Sequence, residues 1–114
     1  MTTVYGIKNC DTVKKARKWL ENNAVTYHFH DLRHDGIEQS DLQQWIDNVG
    51  WEVLLNTRST TWRQLGDRDK TAVDANKALS LMLENPTLIK RPVLVQGKTV
   101  LVGFKDTVYQ KALG

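Results

Sequence analysis

Three segments at the front of the chain constrain its fold more than anything after them. Residues 3–7 are a short run rich in β-branched and aromatic residues and read as a strand. From residue 12 to about 23, Val13, Ala16 and Leu20 recur at helical spacing with basic residues between them, and Asn22 and Asn23 suit the helix end. Val25, Tyr27 and Phe29 then alternate with Thr26, His28 and His30, the period-two pattern of a half-buried strand. Strand, helix, strand is a βαβ unit. Its two strands are expected to be parallel and its crossover right-handed.

The middle of the chain changes character. "RHDGIEQS" reads as a polar turn, followed by a helix with Leu42, Trp45, Ile46 and Val49 on one face and Gly50 as its stop. "WEVLL" reads as a short apolar turn of helix, and "NTRSTTWRQLG" as a loop, a Thr cap and a short helix closed by Gly66. Ala75, Leu79, Met82 and Leu83 mark a longer helix, ended by Asn85-Pro86. Residues 38 to 86 are thus expected to be an all-helical insertion. Val93 to Gln96 and Thr99 to Val102 read as strands joined by Gly97-Lys98, a spacing that argues a tight antiparallel hairpin. Residues 105–113 suit a closing helix with Val108, Ala112 and Leu113 inward. The order β-α-β, helices, β-β-α predicts an α/β fold of thioredoxin-like type, and 114 residues suggest one domain with that insertion.

Composition narrows the function. With 40% hydrophobic residues and four tryptophans the chain can bury a core. A net charge of +3 fits an anionic small-molecule partner and is no nucleic-acid footprint. A single cysteine rules out an intramolecular disulfide. "MTTVYGIKN" lacks the charged-then-apolar pattern of a secretion signal, and no apolar run approaches the roughly 18 residues needed to span a bilayer. A cytoplasmic monomer that binds neither nucleic acid nor membrane is the expectation.

The lone thiol, Cys10, stands between the first strand and the first helix, with Lys8, Lys14, Lys15, Arg17 and Lys18 around it. It reads either as a small buried filler or as a reactive thiolate. The second reading has a physical basis, because the free N–H groups and positive end of a helix N-terminus favour an anion. The residue three positions on, where many redox proteins of this fold carry a second cysteine, is Val13. An adduct on Cys10 therefore needs an outside thiol for release, and glutathione is the abundant cytosolic one. Arg58 in "NTRST" and Arg91 in "LIKRPVLV" each read as a surface charge or as a bidentate grip on an oxyanion or carboxylate. His28, His30 and His34 lack the accompanying ligands of a metal site, so no metal is expected. Trp45, Trp51 and Trp62 fall at helical core positions.

"YGIKNC", the helical insertion, "NTRS", "LIKRPVLV" and "VGF" near residue 103, in this order and spacing, resemble the arsenate reductase-like family. That family includes glutaredoxin-dependent arsenate reductases, the transcription regulator Spx and the YffB proteins, the last being the nearest match. The resemblance covers nearly the whole chain. It implies a thioredoxin-like fold and a cis proline at Pro92. In the family's arsenate reductases a cysteine attacks arsenate and three arginines surround the anion. Cys10 matches the nucleophile, Arg58 the first arginine and Arg91 the second. The third falls near Gly103, and Lys105 stands two residues on; a family histidine falls on Gly6. These departures weigh against arsenate reduction. The resemblance implies a glutathione-dependent thiol oxidoreductase with no tightly bound cofactor. Arg58, Arg91 and Lys8 would meet the anionic substrate, and Pro92, Asn9 and Asp11 would meet glutathione. Glutaredoxin and a small-molecule or disulfide substrate would be its partners. The alternatives are an arsenate reductase with an incomplete arginine cage and a Spx-like regulator that binds RNA polymerase.

Overall fold

A computed structural model describes residues 2–113. The opening strand is β1 (Thr2–Gly6), the first helix α1 (Asp11–Asn22) and the next strand β2 (Tyr27–Asp31). The helical stretch comprises α2 (Leu32–Asp35), α3 (Gln39–Val49), α4 (Trp51–Leu54), α5 (Thr60–Gln64), α6 (Asp67–Lys70), α7 (Ala75–Glu84) and a 3-10 turn over Pro86–Leu88. The chain then forms β3 (Val93–Gln96), β4 (Thr99–Val102) and α8 (Asp106–Leu113). Two compact units result: one joins the described residues up to Leu32 with those from Arg91 onward, and the other is Arg33–Lys90.

The first unit is built on a four-stranded sheet of order β2-β1-β3-β4. β1 and β2 are parallel, with Thr2 opposite Tyr27 and Gly6 opposite Asp31, as the βαβ pattern requires. β3 lies antiparallel to β1, Tyr5 opposite Val93, and the hairpin pairs Gln96 with Thr99. Gly97 has φ 59°, the left-handed conformation that its tight turn calls for. Val4, Ala16, Leu20, Leu94 and Tyr109 form the core between sheet and helices. The phase of α8 differs from the expected one. Tyr109 is fully buried, with Trp19 and Phe104 edge-on to its ring at 5.5 and 4.8 Å, while Val108 is 43% exposed and Ala112 is exposed. Burying the large ring outweighs burying a valine and an alanine, so the helix turns Tyr109 and Leu113 inward. Outside the core, Arg17 fastens α1 to β2. Its guanidinium lies 4.1 Å from the Phe29 ring centroid, and its Nε donates to the Tyr27 hydroxyl at 2.9 Å, which donates to Glu21 at 2.7 Å.

The second unit is helical. Leu42, Trp45 and Ile46 of α3 and Ala78, Leu79, Leu81 and Met82 of α7 are buried, and α3 packs against α4 and α7. Trp51 and Trp62 are only partly buried. Gly50, with φ 90°, ends α3. The cap of α5 is Ser59 rather than a threonine: its Oγ accepts the Trp62 N–H at 3.1 Å. Asp74 caps α7 by accepting the Lys77 N–H at 2.9 Å. α2 overlaps the start of the stretch read as a turn, and α6 follows Gly66 inside the expected helical insertion, where the sequence assigns no separate helix. An isolated antiparallel bridge joins Leu55 to Ile89. No helix among the described residues is long and apolar enough to cross a membrane.

Candidate active site

The site grows from the end of β1. Gly6 and Ile7 are buried, and the chain then surfaces at Lys8 and Asn9, both exposed. Cys10 follows as the N-cap of α1, partly exposed and unbonded to another cysteine, with the extended backbone (φ −106°, ψ 121°) that a cap residue adopts. Its carbonyl accepts the Lys14 N–H at 3.0 Å, and its side chain makes no capping hydrogen bond. That bond is the first of the helix, so the N–H groups of the residues before Lys14 face out of the helix end on which the sulfur stands. Asp11 is the first helical residue and not the cap. Its exposed carboxylate still complements the helix dipole.

Topology brings further candidates to the same end of the sheet. Because β3 runs antiparallel to β1, residues just before β3 emerge where β1 finishes. Those residues are half-buried Arg91 and buried Pro92, joined by a cis peptide bond as the resemblance implied. The Gly103 N–H donates to the Pro92 carbonyl at 2.8 Å. Gly103, at φ 78°, carries no side chain where the family's third arginine would fall, and exposed Lys105 follows two residues later. Lys8, Asn9, Cys10, Asp11, Arg91 and Pro92 thus belong to one end of one sheet.

Arg58 is carried by the helical unit. It is exposed, in a loop folded by Asn56, whose Oδ1 accepts the Arg58 N–H at 3.1 Å while its carbonyl accepts the Ser59 hydroxyl at 2.9 Å. The Asn56 N–H in turn donates to the Leu88 carbonyl at 2.8 Å, which anchors the loop on the 3-10 turn. Of the histidines, His30 lies tilted against Tyr5 with ring centroids 4.8 Å apart, and His28 is exposed. Concavities of about 410 and 390 Å³ lie along α8 and β4, and neither is lined by Cys10. The chemistry available at Cys10 is therefore that of an open rim: a single sulfur at a positive helix end, with cations on the flanking backbone.

Sequence reading missed a close contact beside this rim. Gly6 is pressed against Val13, a residue read only as core and as the missing second thiol. The one trace of it in the sequence is a glycine at the end of a strand, which marks a bulge, a bend or a close approach without saying which.

Known proteins bear on this arrangement. The model of the ArsC family matches residues 5–112. An uncharacterised protein of Haemophilus influenzae is 52% identical over 112 residues, which cover 98% of each chain. A solved YffB protein structure, 46% identical and covering 100% of both chains, superposes with a TM-score of 0.97. The global transcriptional regulator Spx of Streptococcus mutans is 26% identical over 108 residues, 93% of this chain and 78% of the regulator. With a matching family model across nearly its whole length, a thioredoxin-like sheet and the thiol at its rim, this chain belongs to the ArsC family.

Proposed function

We propose that this protein is a glutathione-dependent thiol oxidoreductase that works with a single nucleophilic cysteine. One observation carries the reading. The only cysteine of the chain is the N-cap of α1, at the sheet end from which Arg91 and Pro92 emerge. The Cys10 thiolate attacks the glutathione sulfur of a disulfide between glutathione and a substrate thiol. A Cys10–glutathione disulfide forms, and the substrate thiolate leaves with the electron pair of the broken S–S bond. A second glutathione, or a glutaredoxin thiol, then attacks the glutathione sulfur of the adduct and returns Cys10 as a thiolate. Val13 leaves no thiol in the chain to do this second step. Lys8 and the helix N-terminus supply positive charge near Cys10, Arg91 and Arg58 meet carboxylates of glutathione or an anionic substrate, and Asn9, Asp11 and Pro92 offer polar contacts to the peptide.

Intact-mass spectrometry tests this directly. Oxidised glutathione should add one glutathione to the wild type and none to Cys10→Ser, and reduced glutathione or glutaredoxin should remove it. Added salt should slow the addition, since screening weakens exposed charge attraction. A wild-type protein that stays unmodified in millimolar oxidised glutathione while a small uncharged disulfide reacts readily would sink the glutathione site and leave only a reactive thiol. Similarity to Spx across most of the chain supports a second reading, a polymerase-binding regulator. Co-purification of RNA polymerase with the tagged protein would favour it.

A further inference from the structure

We propose that Gly6 and Val13 are a matched pair that sets the seat of Cys10, with Val13 as a positioning residue for the thiol. Among the described glycines, Gly6 alone lacks room for a side chain. A Cβ built on it would stand 2.8 Å from Val13 Cγ2, closer than such atoms approach one another, and 3.0 Å from Cγ1, at the tight edge of real contacts. Gly36, Gly66, Gly97 and Gly103 have nothing within 4 Å of that position, and Gly50 meets only a glutamate oxygen at 3.6 Å. Nor does the backbone ask for glycine here. The positive-φ glycines are Gly36, Gly50, Gly97 and Gly103, so residue 6 is glycine for space and not for conformation.

The two partners bracket the thiol. Gly6 ends β1, Val13 lies in the first turn of α1, and residues 7–10 span the gap between them. Val13 is fully buried, so its isopropyl group is the spacer on which that first turn rests against the strand. Cys10 moves with the turn, because its carbonyl holds the Lys14 N–H. A side chain at residue 6 pushes Val13 outward, tilts the helix end and carries the sulfur away from the place set for it. The loss of bulk at residue 13 lets the same end settle or loosen. The field of a helix end falls off within its first turn, so the reactivity of a sulfur standing there depends on where that turn sits.

The inference rests on the reading of Cys10 as the working nucleophile, and its test reads the thiol and not glutathione. The rate at which iodoacetamide alkylates Cys10, followed across pH, is measured for Gly6→Ala, Val13→Ala, Val13→Thr and the double variant Gly6→Ala/Val13→Ala. Near-ultraviolet circular dichroism reports whether each is folded. Gly6→Ala should slow alkylation roughly 2- to 5-fold, the range that weakening a charge's interaction with a helix end produces. The double variant should restore the rate and its pH profile, because the new methyl fills space vacated by the old ones. Val13→Thr keeps the branched shape and should leave the profile in place, whereas Val13→Ala should displace it. A folded Gly6→Ala with an unchanged profile overturns the proposal, and so does a slowed Gly6→Ala that the double variant fails to restore. If Gly6→Ala does not fold, the residue-13 pair decides: identical profiles for Val13→Ala and Val13→Thr overturn it. Normal alkylation with no glutathione adduct would instead count against the glutathione reading alone.

Discussion

The two units of this chain are held together by different means. In the sheet unit, β1 pairs with β3, so Thr2 faces Gln96 across the length of the chain, and the Gln96 side-chain amide donates to the Thr2 hydroxyl at 2.8 Å. In the helical unit long-range ties are fewer, the Leu55–Ile89 bridge and the Asn56 N–H to Leu88 carbonyl bond among them, and many ties are local. Ser59 caps its own helix, Asp74 does the same, and the Lys77 Nζ donates to the carbonyls of Arg68 and Thr71 at 2.6 and 2.5 Å. The chemistry divides along the same line. Cys10, the proposed nucleophile, sits on the unit whose strands pair across the length of the chain. An exposed cation on a long side chain, Arg58, sits on the unit of local turns.

That contrast is open to attack by substitution. The largest effect should follow Leu94→Ala, which empties a fully buried position in β3 next to Val4 and Tyr109. A loss of roughly 2–5 kcal/mol is expected in denaturant titrations, from lost burial plus the cavity left behind. Arg91→Lys comes next. If Arg91 grips a carboxylate with two hydrogen bonds, keeping the charge but losing the fork should slow glutathione transfer by about 1–3 kcal/mol. Arg63→Lys, on exposed α5, should leave the rate nearly unchanged. Equal small effects at both would remove Arg91 from the site. Asp74→Ala and Ser59→Ala should each cost about 1 kcal/mol, the usual value of an N-cap. A cap deletion as damaging as Leu94→Ala would break the division between long-range and local stabilisation.

Tyr109 should give the smallest effect at neutral pH and a distinct one in alkali. Its hydroxyl is buried with no hydrogen-bond partner among the described residues, and burial pushes its pKa well above the ordinary 10.0. The raised group contributes stability that is whole below the unfolded pKa, near 10, and is lost as pH rises above it, because the unfolded chain ionises first. Tyr109→Phe should therefore be neutral or stabilising by up to about 1 kcal/mol at pH 7, since it removes an unsatisfied group. It should also flatten the fall of Tm between about pH 9 and about pH 11. An unchanged alkaline slope would mean that other tyrosines or lysines govern it.

Much of this architecture was legible beforehand, and the failures have physical causes. The hairpin, the parallel pair and α3 with its glycine stop matched because turn chemistry and periodicity are local signals. The thiol at a helix start followed from the same boundary reading. The phase of α8 did not, since Val108, Ala112 and Leu113 offer an apolar stripe as regular as the one used, and only the packing of Trp19 and Phe104 on Tyr109 decides between them. α6, "DRDK", is polar throughout and shows no period to detect. Ser59 and its neighbouring threonines are near-equivalent cap formers, and only the backbone at residue 59 selects among them. The contact of Gly6 with Val13 is tertiary. A glycine in a strand signals a bulge, a bend or a close approach, and sequence does not say which.

The central place of β1 bears on the order in which the molecule is made. A chain emerges from the ribosome beginning with its N-terminal end, and domains tend to fold as their residues become available. β1, α1 and β2 appear first, yet β1 is an interior strand whose second neighbour, β3, starts only at Val93. Through the synthesis of some sixty intervening residues, β1 exposes one unpaired edge and the Val4 face of an unfinished core. The helical stretch has no such wait, because every partner of α3, α4 and α7 noted above lies within it and precedes Arg91. The nascent chain therefore completes its middle before its beginning. The rim that carries Cys10 becomes a rim only when the last strands arrive.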